Sequence, residues 1–238
     1  MKAKAKIIEK QEIAQGTLMV TFDLLGEQLQ FSAGQYFFIT LPKLLYPDEK
    51  GPRRHFSIVN SPNEKGILSM ATRITGSGFK KTLSELPVGT EVEVGPIAGV
   101  FVLPQNFNQP LVLIAGGIGI TPYISMLRFI AEEKLPVNIT LIYSNRNQGS
   151  TPFLKEIQHL TKQIPQFKLV LTMTEDNEWV GEKKKVDGQF IKEYTKDLQA
   201  PYYMVVGPPL MTDAVVEELK RIGIEDQNLK IEKFTGYR

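Results

Sequence analysis

The sequence predicts a two-domain protein, with a six-stranded antiparallel β-barrel in its N-terminal part and an α/β domain with a parallel sheet in its C-terminal part. Its 238 residues lie between one and two domains at roughly 150 residues each. The first half consists of short strand-like segments between turn residues, whereas the second alternates apolar strands with helices. A polar, proline-bounded linker at 104–110 places the domains at 1–105 and 106–238.

The first half contains segments that alternate in polarity or are rich in β-branched and aromatic residues. Glycines and prolines separate them, as is typical of turns between strands. The predicted strands are 4–10, 17–24, 35–41, 55–60, 67–75 and 91–95, with a short helix-like segment at 79–86. Strands at this spacing indicate a small antiparallel barrel.

The second half alternates apolar segments with amphipathic ones. The predicted strands are 111–115, 139–143, 168–172 and 202–206, and the predicted helices are 123–133, 153–163 and 212–222. Apolar strands that alternate with helices belong to a parallel sheet covered on both faces.

Composition narrows the classes of function. Lys and Arg number 28 against 26 for Asp and Glu, and this balance does not suggest a nucleic-acid partner. There is no cysteine, so we expect no iron–sulfur cluster in this chain, and with only two histidines we expect no metal site. The basic N-terminus lacks the apolar stretch of a secretory signal, and glycines and a proline interrupt the apolar run 111–127. We therefore expect a soluble, cytoplasmic protein without a membrane span.

The strongest motif is the glycine-rich turn that follows the apolar strand 111–115. Gly116, Gly117 and Gly119 precede a predicted helix with Thr121 and Pro122 in its first turn. Glycines let a pyrophosphate approach the backbone, and a helix N-terminus offers free N–H groups and a positive dipole end. The alternative is a plain strand–helix corner.

A second motif, at 53–57, begins a barrel strand. Alternation puts Arg54 and Phe56 on one face of that strand and His55 and Ser57 on the other. An arginine can pair with a phosphate, an aromatic can cover a ring, and a hydroxyl can bond a ring nitrogen. The alternative is an ordinary exposed edge with one core phenylalanine.

Two further segments also have the residues of a candidate ligand-binding site. The segment 76–83 places glycines, a hydroxyl and two cations ahead of a short helix, which suits either an anion site or a solvated helix cap. A Gly-Pro-Pro turn at 207–209 follows the strand 202–206, and ligands of open parallel sheets bind at the carboxyl ends of strands.

Taken in this order, the four motifs resemble the ferredoxin–NADP reductase superfamily over nearly the whole chain. That family joins a flavin-binding barrel to an α/β domain that binds a nicotinamide nucleotide. The resemblance implies that Arg54, Phe56 and Ser57 fill the family's R-x-[YF]-[ST] motif. Arg54 would hold the flavin phosphates, Phe56 would lie against the isoalloxazine, and Ser57 would face its N5.

The same resemblance implies the remaining site residues. The implied flavin-binding residues are Arg54, His55, Phe56, Ser57, Thr72, Arg73, Ser77, Gly78, Phe79, Lys80 and Phe234. The implied NAD(P)H-binding residues are Gly116, Gly117, Gly119, Thr121, Pro122, Ser144, Arg146, Gly207, Pro208, Pro209 and Met211. The implied catalytic residues are Ser57 and Glu232. Lys80 departs from the family pattern, which usually has Ser or Thr there, but a cation is compatible with phosphate.

The implied function is a flavin-dependent NAD(P)H reductase. It would pass hydride from NAD(P)H to FAD and then electrons to an acceptor such as ferredoxin, flavodoxin or an oxygenase component. FAD is preferred to FMN because the segment 77–80 offers a place for a diphosphate. NADPH is preferred to NADH because Ser144 and Arg146, with no acidic residue, follow the second α/β strand.

Two alternatives remain open. The chain could be a non-catalytic flavin-binding electron-transfer subunit of a larger redox complex, since fold does not determine function. It could also be a nucleotide-binding regulator without flavin.

Overall fold

The computed structural model describes residues 2–234, which form two compact units. The first unit is the chain up to Leu103 together with Thr121–Phe129, and the second is Pro104–Ile120 with the chain from Ile130 onward. The domain limits 1–105 and 106–238 stay a prediction.

The first unit is built on a six-stranded antiparallel sheet, as predicted. Its strands are β1 (Ala3–Ala14), β2 (Thr17–Asp23), β3 (Tyr36–Thr40), β4 (Arg53–Ser57), β5 (Ile67–Arg73) and β6 (Glu91–Ala98). They lie in the order β4-β3-β6-β1-β2-β5. The inward side chains of each strand fill one core, in which the Phe22 and Phe37 rings meet edge to face at 6.0 Å. Just beyond β4, the Val59 N–H donates to the Ser69 carbonyl in β5 (2.8 Å), which links the two edge strands.

A single helix, α1 (Gly78–Glu85), connects β5 to β6. Ser77 caps its N-terminus, where the Ser77 hydroxyl accepts a hydrogen bond from the Lys80 N–H. At the other end, the Lys10 ammonium donates to the carbonyls of Ser84 and Leu86, which have no partner within the helix. Both ends of α1 are therefore held in place.

The first unit also includes most of the helix α2 (Thr121–Glu133). Its Ser125 hydroxyl donates to the Asn60 carbonyl (2.7 Å), and the Tyr123 ring lies 5.9 Å from that of Phe101. Gly34 is required beneath the helix: its φ is +98°, and a Cβ there would lie 2.3 Å from the Phe101 carbonyl oxygen.

The second unit contains a five-stranded parallel sheet, which confirms the predicted α/β class. Its strands are β7 (Leu111–Gly116), β8 (Ile139–Asn145), β9 (Phe167–Met173), β10 (Tyr202–Gly207) and β11 (Leu229–Lys233), in the order β11-β10-β7-β8-β9. The helices α3 (Leu154–Gln163), α4 (Gly188–Tyr194) and α5 (Pro209–Arg221) belong to this unit. Sequence patterning did not predict α4, which has only seven residues, or β11, whose charged residues, two of them lysines, are typical of an edge strand. Among residues 2–234, no helix has the length and apolarity needed to cross a bilayer.

Candidate functional site

In the first unit, the N-terminus of α1 and the start of β4 meet at one carboxylate. Asp48, in the loop between β3 and β4, forms an ion pair with the Arg54 guanidinium. Its Oδ2 accepts hydrogen bonds from the Ser77 hydroxyl (2.8 Å) and the Phe79 N–H (2.9 Å). Three of the predicted residues, Arg54, Ser77 and Phe79, are thus brought together by one that sequence reasoning missed. We call these four residues the Asp48 cluster.

The Asp48 carboxyl is strongly held in its ionised form. Its side chain is only 8% exposed, and this burial opposes ionisation. Hydrogen bonds from Phe79, Ser77 and Lys50, together with the Arg54 charge, outweigh the burial and lower the pKa of Asp48 to about 2. The groups around Asp48 therefore stabilise a negative charge at this position.

Lys80 adds a second cation beside Arg54. Burial, and then the Arg54 charge, lower the pKa of the Lys80 ammonium to about 8. Two cations kept close together in a buried position favour a ligand of high negative charge, and phosphate oxygens are the usual partners of such groups. The donor set at the N-terminus of α1 therefore fits the diphosphate of FAD.

The other predicted flavin residues lie on β4 and β5. Phe56 is buried in the barrel core, with its ring 5.9 Å from that of Phe79, and Ser57 is also buried. His55 is exposed and lies 5.0 Å from the Tyr36 ring. Thr72 is fully buried and is followed by Arg73 at the end of β5.

In the second unit, two glycine-containing turns approach one another closely. Gly117–Ile120 forms a single 3₁₀ turn after β7, and Gly207 ends the neighbouring strand β10. A Cβ on Gly119 would lie 2.8 Å from both the Gly207 Cα and the Val206 carbonyl oxygen. A Cβ on Gly116 would instead meet the Met211 sulfur at 3.0 Å. The predicted residues Gly116, Gly119, Gly207 and Met211 therefore come together at the carboxyl ends of two adjacent strands.

A tyrosine that the motif search missed supports the first of these turns. The Tyr143 hydroxyl, at the end of β8, donates to the Gly117 carbonyl (2.9 Å) and lies within hydrogen-bonding distance (3.2 Å) of the Pro152 carbonyl. Its only sequence signal is its place in an apolar strand, which also fits a core residue.

Both of these glycine-containing turns lead into helices with a proline in the first turn. Thr121, which is buried, starts α2 with Pro122 behind it, and Pro208 precedes Pro209 at the start of α5. Proline has no N–H to leave unpaired in the first helical turn and its φ is already close to the helical value, so it suits the start of both helices.

Glu232 lies on β11 in register with Val206 of β10. Its Oε2 is buried, and none of residues 2–234 gives it a hydrogen-bond partner. Burial raises the pKa of Glu232 to about 7. Directly after β11, the Phe234 N–H donates to the Gly207 carbonyl (2.9 Å). Glu232 is therefore a carboxyl that can hold a proton near neutral pH.

This raised pKa predicts a pH-dependent loss of stability that Glu232→Gln removes. Between about pH 4.5 and 7 the folded chain keeps a proton that the unfolded chain releases, so the stability of the wild type falls as pH rises. The Glu232→Gln side chain stays neutral at every pH. Its free energy of unfolding, relative to that of the wild type, is therefore expected to rise by up to about 3 kcal/mol between pH 5 and pH 8. Urea unfolding at both pH values measures this difference. Glu217→Gln, at an exposed glutamate of α5, is the control, and parallel profiles for Glu232→Gln and the wild type would contradict the prediction.

Arg146, beyond the end of β8, has an acidic neighbour. Its side chain is 70% exposed, and its Nε lies 3.7 Å from Oε1 of Glu175, a residue that follows β9. The next residue, Asp176, accepts a hydrogen bond from the Gln148 N–H (3.1 Å). Sequence reasoning found no acid here because both acids lie in the segment that follows the neighbouring strand β9. Ser144 is half-buried and in register with Gly116 of β7.

Comparison with known proteins identifies both halves of the chain. Residues 4–101 match the family model of the oxidoreductase FAD-binding domain, and residues 113–217 match that of the oxidoreductase NAD-binding domain. The chain is 30% identical over 151 residues to reductase component 1 of terephthalate 1,2-dioxygenase from Comamonas sp., which covers 63% of this chain and 43% of that protein. It is 27% identical over 219 residues to a flavohemoprotein of Oceanobacillus iheyensis, covering 86% of this chain and 51% of that one. The chain thus spans about half the length of these curated relatives.

A solved structure agrees over nearly the full length. The cytochrome P450 reductase of Amycolatopsis superposes with a TM-score of 0.83 at 25% identity, covering 98% of this chain and 70% of the other. The two family models lie in the chain in the order that the motifs predicted, the first over the antiparallel sheet and the second over four of the five strands of the parallel sheet. The chain therefore belongs to the ferredoxin–NADP reductase superfamily, with an FAD-binding domain followed by an NAD-binding domain.

Proposed function

We propose that this chain is an FAD-dependent NAD(P)H reductase that delivers electrons to a separate acceptor. The observation that carries the proposal is the pair of neighbouring cations, Arg54 and Lys80, at the N-terminus of α1 in an FAD-binding domain. The glycine turns of the NAD-binding domain support it. When bound, FAD accepts a hydride and gives up electrons singly, which is chemistry that no side chain supplies.

In this proposal the chain holds the flavin through two sets of groups. Arg54, Ser77 and Lys80, with the first N–H groups of α1, bind the phosphates. The residues of β4 and β5 at 55–57 and 72–73 lie along the ring. Ser57 and Glu232 are the proposed catalytic residues; Glu232 holds or releases a proton close to neutral pH.

The nicotinamide nucleotide is assigned to the second unit. We assign its pyrophosphate to the turn of Gly116, Gly117 and Gly119, and the 207–209 turn with Met211 borders the same edge of the sheet. The close approach of Gly119 to Gly207 is the support for this assignment.

The proposed acceptor is a ferredoxin, a flavodoxin or an oxygenase component. Support comes from relatives named as reductase components, including the aromatic O-demethylase reductase subunit of Amycolatopsis sp., which is 25% identical over 237 residues. Because these 238 residues contain no cysteine, a cysteine-ligated iron–sulfur centre would have to belong to another chain or segment. We also propose domain limits of 1–105 and 106–238. The proposed location is the cytoplasm, and cell fractionation tests the location.

The visible spectrum of the purified protein, recorded anaerobically before and after NADPH and NADH, tests the function. A flavin spectrum that bleaches with either coenzyme is the expected result. A flavin that stays oxidised with both would favour the electron-transfer subunit. A colourless protein that FAD and FMN cannot reconstitute would leave the nucleotide-binding regulator.

Arg146→Ala tests whether the protein prefers NADPH or NADH. We propose NADPH, because a guanidinium at this strand end can pair with a 2′-phosphate. The variant is expected to raise KM for NADPH several-fold more than KM for NADH, measured in steady state with an artificial acceptor. Arg221→Ala, which removes an equally exposed arginine from α5, is the control. Equal effects on both coenzymes would mean that Arg146 does not contact the 2′-phosphate.

A further inference from the structure

Asp48 uses the same donors that a flavin phosphate needs. The Arg54 guanidinium pairs with its carboxylate, and the Ser77 hydroxyl and Phe79 N–H both donate to its Oδ2. The Arg54 Nη1 also donates to the carbonyls of Lys50 (2.9 Å) and Gly51 (3.0 Å) in the same loop, and to that of Arg53 (2.7 Å) in its own strand. The loop thus supplies both an anion and carbonyl oxygens to one guanidinium.

The backbone of this loop lies directly against the first turn of α1. A Cβ on Gly78 would lie 2.2 Å from the Pro47 carbonyl oxygen, so only glycine permits this approach. Further along the helix, the Leu45 N–H donates to the Thr82 hydroxyl (3.0 Å) and the Tyr46 hydroxyl donates to the Glu85 carboxylate (2.7 Å). Residues 45–51, which we call the Asp48 loop, are therefore docked along the whole of α1.

We propose that Asp48 is an internal anion that competes with the flavin phosphates for Arg54 and the N-terminus of α1, and so sets the affinity for phosphorylated flavins. The inference rests on the proposed function, because it takes these donors to be the phosphate site. It adds a determinant of affinity from outside the four motifs, in a loop that the motif search passed over.

Flavin binding and release of the Asp48 carboxylate from its donors are linked equilibria. The phosphates gain Arg54, Ser77 and the Phe79 N–H only when the Asp48 carboxylate leaves them, so the apparent affinity is reduced by the fraction of molecules in which it has left. A side chain that is 8% exposed and holds a charged partner leaves rarely. A neutral side chain at position 48 loses the attraction to Arg54 and is displaced more easily.

Asp48 could act in the opposite sense, as a positioning residue that orients Arg54 toward the flavin. The two roles predict opposite changes in flavin affinity when Asp48 is neutralised. Neutralising a competitor tightens flavin binding, whereas neutralising a positioning residue weakens it. FMN and riboflavin differ only in the phosphate, so comparing them separates the competition from any effect on the ring.

The experiment measures binding of FAD, FMN and riboflavin to the flavin-free full chain by quenching of flavin fluorescence. Asp48→Asn keeps the shape of the side chain and removes its charge. It is expected to tighten FAD and FMN binding about tenfold and to leave riboflavin binding unchanged. The factor of ten corresponds to the loss of one charge-assisted contact between the side chain at position 48 and Arg54. Asp48→Ser is a second variant with the same expectation, used if Asp48→Asn has lost its native circular dichroism spectrum.

The matched control is Glu49→Gln, which removes the same charge from an exposed neighbour in the same loop. It is expected to leave all three affinities unchanged. FAD affinity that is unchanged or weaker in the Asp48 variants, while the wild type binds FAD, overturns the inference alone. An equal gain for riboflavin overturns it as well. Failure of the wild type and every variant to bind FAD overturns the proposed function and the inference together.

Discussion

Replacing Arg54 by alanine is expected to remove most of the flavin from the purified protein. The variant loses a charge-assisted phosphate contact of about 1.5–3 kcal/mol, which lowers flavin affinity by roughly one to two orders of magnitude. The ratio of flavin to protein absorbance after gel filtration, followed by titration with FAD, measures the loss. Arg53→Ala is the matched control, because Arg53 is the adjacent residue of β4 and its guanidinium lies over the half-buried Phe38 ring, 4.1 Å from its centroid. Unchanged flavin content in Arg54→Ala would remove this residue from the site.

The same variant has a second, independent readout in acid. In the wild type the pKa of Asp48 is about 2 when folded and 3.8 in an unperturbed chain, so its stabilising contribution is complete above about pH 4 and is lost as pH falls through 2. That contribution amounts to about 2 kcal/mol. Without Arg54 the Asp48 carboxyl loses its counter-charge and its pKa rises, so less of this stability remains at neutral pH. Unfolding of the flavin-free protein at pH 3 and pH 6 shows the difference.

Replacing Gly119 by alanine is expected to have the largest effect on the nicotinamide nucleotide. The added Cβ would lie 2.8 Å from two backbone atoms of the 206–207 segment, and neither atom can move without shifting β10 or the turn. Overpacking of this kind costs about 1–3 kcal/mol of stability. Displacement of the turn is also expected to weaken coenzyme binding by about tenfold or more, since in the proposed function this turn binds the pyrophosphate.

Gly116→Ala in the same turn is the matched comparison. Its Cβ would meet only the flexible Met211 side chain, with the sulfur 3.0 Å away, which can rotate aside. Isothermal titration with NADPH and NADH, together with thermal unfolding of both variants, measures the contrast. FAD content is expected to stay normal in both variants, because the Asp48 cluster lies in the other unit. Equal effects of the two substitutions would show that the approach of Gly119 to Gly207 does not shape the turn.

The class of each sheet could be read from the chain because it depends on local patterns. Alternating polarity between glycine and proline turns identifies half-buried antiparallel strands, and unbroken apolar strands such as β7 identify a sheet covered on both faces. The glycine turn after β7 was equally readable, since its chemistry lies within a few adjacent residues. The edge strand β11 was not, because an edge strand buries too little to leave an apolar pattern.

What only the tertiary structure decided are the partners that distant segments bring to each motif. Asp48 lies 31 residues before Phe79, and nothing in its own loop marks it as the anion that binds Arg54 and caps α1. Glu175 reaches Arg146 because β8 and β9 are neighbours in the sheet. Glu232 has its pKa raised to about 7 because β11 pairs with β10 and buries its carboxyl. By itself the sequence determined which segments fold and which groups they offer. The charge state and availability of those groups depend on burial and on neighbours across long chain separations, which only the folded chain supplies.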